Sequence, residues 1–259
     1  PVQWRAQDRP KHPAIDYLAW MNHLEDGLDE DLVRRVVAGY CGLVTHTDER
    51  IGEVIQAADG LGLLGGTRIV YTSDHGEAAG NHGILGKANH YEHALAVPLL
   101  MAGPGIPEAK VIDESVSHVD LFPTLLEAMH VQPNPEDIDL PGRSLWPLIT
   151  GRGEAESRPV FAEYHAMGSR NSGFALRDGD FKLVYHVGMP RQLFDLSSDP
   201  REEHDLLAGG GTHPAAEALE RKLRDILDPE AVDERSKADQ LAHAEKFGGM
   251  DEVRKAGIF

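Results

Sequence analysis

The sequence predicts an α/β protein, in which a mixed sheet is sandwiched by helices and followed by a small antiparallel sheet with a helical tail. Three observations predict it. A long run with apolar residues at helical spacing ends in Gly60, Gly62, Gly65 and Gly66 and passes straight into an apolar strand, which is an αβ unit. A second apolar strand follows a glycine-punctuated loop and stops at Gly103-Pro104-Gly105. Beyond Gly151 short strand-like runs alternate with tight turns, so the chain divides near residue 152 into an α/β part, 1–152, and a small antiparallel-sheet part with helical tail, 153–259.

In order along the chain, residues 1–12 are polar and proline-bearing and read as an irregular lead-in, and residues 14–24 as a short amphipathic helix closed by Asp26-Gly27. From about 31 to 58, Val33, Val36, Val37, Tyr40, Leu43, Val44, Ile51, Val54 and Ile55 recur at steps of three and four, which predicts a core helix. The strands are expected over 67–72 and 97–102. Ser117 caps a helix over 117–130, with Pro123 in its first turns, where a missing amide hydrogen costs least. Residues 131–140, with two prolines and four acidic residues, read as a loop. Strand-like runs at 160–165, 173–177, 181–186 and 192–196 are separated by turns such as Asp178-Gly179-Asp180. From Pro214 onward charged helix formers dominate, with breaks expected at Pro229 and Gly248-Gly249.

A length of 259 residues can bury a sizeable core, and 41% hydrophobic with 26% charged residues is a globular composition. A formal charge of −18 with no basic stripe argues against nucleic acid as a partner, and no run is long and apolar enough for a membrane span. The first 30 residues show no signal peptide. The same charge means that an anionic substrate needs a local cation, and bound metal is one solution. Cys41 is the single cysteine, which excludes an internal disulfide and fits a reducing, cytoplasmic setting; its place in an apolar helical pattern predicts core packing.

The stretch 71–99 concentrates chemistry at a strand exit. Asp74 and His75 are adjacent where the backbone leaves regular pairing, and a carboxylate oxygen and an imidazole nitrogen are both competent ligands for a divalent metal. Taken alone, the dipeptide is better read as a turn cap, Asp74, and an ordinary polar loop residue, His75. Lys87 follows twelve residues after His75, beyond Gly76, Gly80, Gly83 and Gly86, and an ammonium brought near a metal would complement a tetrahedral anion. His82, His90 and His93 have ordinary readings as loop or helix polar groups.

Taken together, Ser73-Asp74-His75-Gly76-Glu77, Asn81-His82-Gly83, Gly86-Lys87, Tyr91-Glu92 and Val97-Pro98-Leu99 resemble the sulfatase family of the alkaline-phosphatase-like superfamily. The resemblance extends through Asp120-Leu121-Phe122-Pro123-Thr124 and Leu193-Phe194-Asp195-Leu196, over most of residues 30–207. It implies an alkaline-phosphatase-like fold and a metal-dependent hydrolase of sulfate esters, with a small sulfated substrate as partner. Asp74 and His75 match the family's late metal-ligand pair, for calcium first, with manganese or magnesium as the alternatives, and Lys87 matches the lysine that contacts the sulfate. The family's nucleophile is a hydrated formylglycine made from a cysteine or serine in a C-x-P-S-R-like motif.

That motif is absent here, since Cys41 is followed by Gly42-Leu43-Val44-Thr45, and an early aspartate pair on a strand is absent as well. The expectation is therefore the C-terminal portion of a longer sulfatase, incomplete at the N-terminus and inactive alone. A phosphonate or phosphate ester hydrolase of the same superfamily is the alternative among enzymes, and a non-catalytic metal-binding or interaction domain the alternative outside them. Glu163, His165, Ser169 and Arg170 are expected to rim the pocket, His165 as a substrate-binding residue, although an ordinary surface turn explains them as well. Residues 231–255 are expected to pack weakly on the domain or against a second copy in a homo-oligomer.

Overall fold

The computed structural model describes residues 1–153, 157–166 and 169–255. The helices are α1 (Pro13–Met21), α2 (Glu30–Gly60), α3 (Glu92–Leu95), α4 (Leu121–Ala128), α5 (Trp146–Ile149), α6 (Pro214–Ile226), α7 (Pro229–Glu245) and α8 (Met250–Lys255). The strands are β1 (Ile69–Thr72), β2 (Leu99–Ala102), β3 (Val160–Tyr164), β4 (Gly173–Asp178), β5 (Phe181–His186) and β6 (Gln192–Asp195). They form two compact units, each assembled from segments distant in sequence. One contains Pro1–Tyr40, His75–Ala96 and the chain from Phe161 onward; the other contains Cys41–Asp74 and Val97–Val160.

The first unit is built on the sheet β3-β4-β5-β6, whose β4–β5 and β5–β6 pairs are antiparallel. Strands β4 and β5 close a hairpin on Gly179-Asp180, and Gly179 at φ +59° takes the first of the two loop positions, which a type II′ turn reserves for glycine. Alternation along the strands sends side chains to two buried faces. Phe174, Leu176, Leu183 and Leu193 pack against Ala216, Leu219 and Leu223 of α6. Val184 and Phe194 face the other way, against Ile15 and Leu18 of α1 and against Ala78, Ile84 and Tyr91. The second face therefore carries the glycine-rich loop as part of a core, each fully buried aliphatic adding about 1.5–3 kcal/mol.

Three helices of this unit begin with proline at the first position after a capping side chain. His12 Nδ1 accepts from Ala14 N at 3.2 Å, His213 Nδ1 from Ala215 N at 3.2 Å, and Asp228 from Glu230 N and Ala231 N. The helical run breaks at Pro229 as expected: α6 ends at Ile226 and Pro229 opens α7, where its missing amide hydrogen falls among donors that a helix start leaves unpaired anyway.

In the second unit β1 and β2 pair antiparallel, Ile69 opposite Ala102 and Thr72 opposite Leu99, each strand two residues shorter than expected. Leu99 and Met101 pack against Ala128, Leu145, Trp146 and Ile149 of α4 and α5 and their approach. Ser117 caps the 3₁₀ turn His118–Asp120 that leads into α4: its side chain accepts from the Asp120 amide, and its own amide donates to Asp120 Oδ2 at 2.9 Å, the two halves of a capping box. Asp120 is fully buried, also accepts from Arg143 N at 2.9 Å, and pairs with Arg158.

Two expectations require correction. Helix α2 forms, but Val33 is its one buried residue, while Leu43, Val44 and Val54 are exposed, so it is no core helix within this chain. Cys41, on the same helix, is exposed rather than packed. Periodicity identifies the face that seeks cover; it does not say that the cover lies within the same 259 residues.

Candidate active site

Beyond β1 the chain enters the loop that carries the candidate residues, and backbone hydrogen bonds hold this loop firmly. Ala78 N donates to Gly86 O at 2.8 Å and Gly80 N to Ile84 O at 3.0 Å. Glu77 closes the same turn with its side chain, Oε1 accepting from Ala79 N at 2.9 Å and from Gly86 N at 2.6 Å. The compaction requires left-handed backbone at Ala79, Gly80, His82, Gly83, Gly86 and Ala88. For the alanines and His82 that conformation carries a strain of about 1–3 kcal/mol each, sustained by the surrounding bonds. The lead-in segment contributes: Val2 N donates to Asn81 Oδ1 at 3.0 Å, His82 N to Val2 O at 2.9 Å, and His82 Nδ1–H to Gln3 Oε1 at 2.8 Å. Gly76 admits no side chain, since a Cβ there would lie 2.0 Å from His93 O.

Lys87 projects from this frame between Gly86 at φ 76° and Ala88 at φ 74°. It is exposed and makes no hydrogen bond or ion pair among the described residues. In His75, Nδ1–H donates to Gly76 O at 2.9 Å, which fixes the tautomer and leaves Nε2 as the lone-pair nitrogen. This is the arrangement by which metal-bound histidines are oriented. Asp74 is exposed, and its Oδ1 lies 3.4 Å from Ser73 Oγ. The boundary between the two units falls between Asp74 and His75. Among the described residues no group of three or more metal-ligating side chains converges.

His165 lies in the first unit, as do His75 and Lys87. Its Nε2 is 3.2 Å from Glu163, its ring tilts on Phe174 with centroids 5.4 Å apart, and its Nδ1 is buried without a hydrogen-bond partner. Residues 167 and 168 of the connection expected to rim the pocket lie outside the described residues.

Behind the loop lies a polar interior that sequence reasoning did not anticipate. Lys182, fully buried on β5, pairs with Glu92 at 2.8 Å and with Glu202, while Arg177 reaches Glu92 at 3.3 Å. Glu202 in turn accepts from Glu92 N at 2.6 Å, so one buried and one half-buried carboxylate and the start of α3 are tied to one ammonium. Burial pushes the Glu202 carboxyl up, with Lys182 pulling the other way. Asn89, His90, His186, Gln192 and Ser169 line a cavity of about 10 Å³, room for one water. Burial pushes the His90 imidazole down to about 4, and that of His186 well below its ordinary value, so both are neutral. His82, stacked on Tyr91 with centroids 4.0 Å apart, is lowered to about 4 and His93 to about 3 by the same cause. The signal that could have found this interior is the pairing of Lys182 with alternating apolar neighbours, which places it on a buried face of β5.

The fold is alkaline-phosphatase-like. A 2-O GAG sulfatase superposes on 93% of this chain and 52% of its own with a TM-score of 0.73 at 23% identity. The phosphonate monoester hydrolase of Silicibacter pomeroyi superposes on 86% of this chain and 47% of its own with a TM-score of 0.69 at 28% identity. The chain belongs to the sulfatase family: residues 4–131 match the sulfatase model, and residues 80–228 match that of N-sulphoglucosamine sulphohydrolase, C-terminal. Arylsulfatase K of Xenopus laevis is 34% identical over 228 residues, covering 84% of this chain. The chain spans 42% of the length of that relative.

Proposed function

We propose that this chain carries the metal- and sulfate-facing half of a sulfate ester hydrolase, and that the nucleophile is supplied by a longer polypeptide of which it is the C-terminal part. The observation that supports this most is Lys87: an exposed ammonium without a partner among the described residues, held on a hydrogen-bonded loop, in a family member whose net charge is −18. In that field an uncompensated lysine on a rigid loop suits a tetrahedral anion, which it binds and orients by charge-assisted hydrogen bonds.

Asp74, through its carboxylate, and His75, through Nε2, would hold a divalent cation, calcium first and manganese or magnesium otherwise. When bound, the cation neutralises charge that develops on the sulfate oxygens. The residues of this chain do the rest of what this half contributes. Gly76 O keeps the His75 proton on Nδ1, Glu77 fixes the turn that presents Lys87, and Lys87 stabilises the departing or attacking oxygen's charge. His165, in this reading, contacts the organic part of the substrate through the edge of its ring.

The full reading frame is expected to hydrolyse an aryl sulfate, the 259-residue chain to show no turnover, and Lys87→Ala in the full-length enzyme to lower kcat/KM by about 100-fold or more, the usual loss for one preorganised donor. Turnover by the 259-residue chain that Lys87→Ala abolishes would overturn the division of the site. The phosphonate hydrolase among the superposed structures supports a second reading, an aryl phosphonate as the better substrate; the ratio of the two rates with the full-length enzyme decides between them.

A further inference from the structure

Helix α7 docks on the first unit through polar side chains. A surface helix ordinarily buries an apolar stripe, but the residues that α7 buries are Pro229, Asp233 and Ala244. Asp233, Lys237 and Gln240 follow the i, i+4, i+7 spacing that places them on one helical face, and all three reach the connection between β3 and β4. Asp233 Oδ1 accepts from Ser172 N at 2.7 Å, Lys237 Nζ donates to Asn171 Oδ1 at 2.9 Å and to Asp233 Oδ2 at 2.7 Å, and Gln240 Nε2 donates to His165 O. Burial works against an ionised Asp233, but Lys237 and the Ser172 amide hold its carboxyl below the ordinary carboxylate value. Apolar contact is non-directional, whereas hydrogen bonds to backbone fix position and orientation together. The start of α7 is tied down separately, since Glu230 accepts from the Tyr185 hydroxyl of β5 and pairs with Arg224 of α6 at 2.8 Å.

The same connection also meets the loop that carries Lys87. Gly173 leaves no room between them: a Cβ there would lie 2.5 Å from His90 Cε1 and 2.7 Å from His186 Nδ1. Ser169 shares the wall of the one-water cavity with Asn89 and His90, which follow Lys87 closely in sequence. We propose that Asp233 is a positioning residue: acting through Ser172, it sets where the connection that carries His165 stands relative to Lys87, and so how the organic part of a substrate is seated. The proposal rests on the reading in which Lys87 meets the sulfate and His165 the organic part. Lys237 is the weaker half of this brace, because it is 47% exposed and reaches the connection through a side chain rather than the backbone.

Hydrogen exchange tests the brace and kinetics test its consequence. In the 259-residue chain, Asp233→Ala is expected to make the amides of residues 169–173 exchange about tenfold faster or more, as loss of a charge-assisted hydrogen bond does, and to leave those of residues 76–86 unchanged. Asp233→Asn keeps an acceptor for the Ser172 amide and is expected to restore slow exchange. In the longer polypeptide, Asp233→Ala is expected to raise KM for an aryl sulfate by about fivefold or more with kcat within about twofold of wild type. Inhibition by inorganic sulfate, which meets Lys87 and not His165, is expected to stay unchanged. Lys237→Met is expected to give the same pattern at smaller size, and it decides the question where Asp233→Ala does not fold. Unchanged exchange at residues 169–173 overturns the brace. Faster exchange with unchanged KM, or equal weakening of aryl sulfate and inorganic sulfate, overturns the positioning role. A wild-type longer polypeptide that turns over no sulfate ester counts against the sulfate-ester reading instead, and the exchange result then decides the brace by itself.

Discussion

Replacing Lys182 by methionine isolates the energy of the polar interior behind the candidate loop. Lys182 and Glu202 are each 1% exposed in their side chains, and Glu92 is 22% exposed. At 2.8 Å from Glu92, a full charge pair at an effective dielectric near 20 attracts by about 6 kcal/mol, most of it offset by the cost of burying the ammonium. Methionine fills the same volume and removes the charge. Glu92 keeps Arg177 at 3.3 Å, but Glu202 keeps only the Glu92 amide, so one carboxylate is left buried and uncompensated. The expected loss is about 3 kcal/mol at pH 8, at the lower end of the range for breaking a buried pair from one side. The loss depends on pH. Burial already raises the Glu202 carboxyl, and without Lys182 only the Glu92 amide still pulls it down. Its folded-state value then lies above the unfolded one, so the variant gains stability relative to wild type as the pH falls and the carboxyl takes up a proton. Urea unfolding at pH 8 and pH 5, with Lys182→Met/Glu202→Gln as partner variant, measures this. A single-variant loss below about 1 kcal/mol at pH 8, or a double variant no more stable than Lys182→Met, refutes the assignment of Glu202 as the orphaned charge.

The remaining predictions concern the loop and its histidines. His82 and His90 are held at about 4 and His93 at about 3, below an unfolded value near 6.5, so the unfolded chain takes up protons first as the pH falls. Their contribution is complete above about pH 6.5 and is lost toward pH 4, at roughly 1.4 kcal/mol per pH unit for each fully buried imidazole. The urea midpoint should therefore fall between pH 7.5 and 5.5, and His90→Asn should give a shallower slope; a flat midpoint contradicts the burial of neutral rings. Gly76→Ala places a methyl group 2.0 Å from His93 O, backbone that cannot swing aside, so a loss of about 2 kcal/mol or more and faster exchange of the amides of residues 76–96 are expected. A fully stable variant with unchanged exchange would show that the chain passes His93 with more room.

How much of this was legible beforehand follows from the range over which each feature is determined. The hairpin of β4 and β5 was readable because its register depends on two residues, Gly179 and Asp180, and on alternation within a dozen positions. Helix α2 was readable as a helix for the same reason, and its exposure was not, because burial depends on a partner surface that periodicity does not contain. The Asp74, His75 and Lys87 cluster stood out because a strand exit gathers them within fourteen positions. The Glu92–Lys182–Glu202 arrangement joins residues 90 and 20 positions apart, and each of the three reads in isolation as a solvated charge.

The difference between those two clusters bears on how the loop works. Lys87 gains nothing from being exposed unless its backbone is fixed, since a lysine on a mobile loop loses side-chain and backbone freedom whenever it meets an anion. Here the freedom is removed in advance. Glu77 clamps Ala79 and Gly86, Ala78 and Ile84 are core residues against β5 and β6, and Glu92, where the loop ends, is anchored by Lys182. The charged interior therefore holds the far end of the loop that carries the exposed ammonium. On the proposed reading, in which Lys87 binds the sulfate, Lys182→Met should weaken turnover by the longer polypeptide through KM more than through kcat, because it would loosen the placement of a binding group and not the reacting atoms.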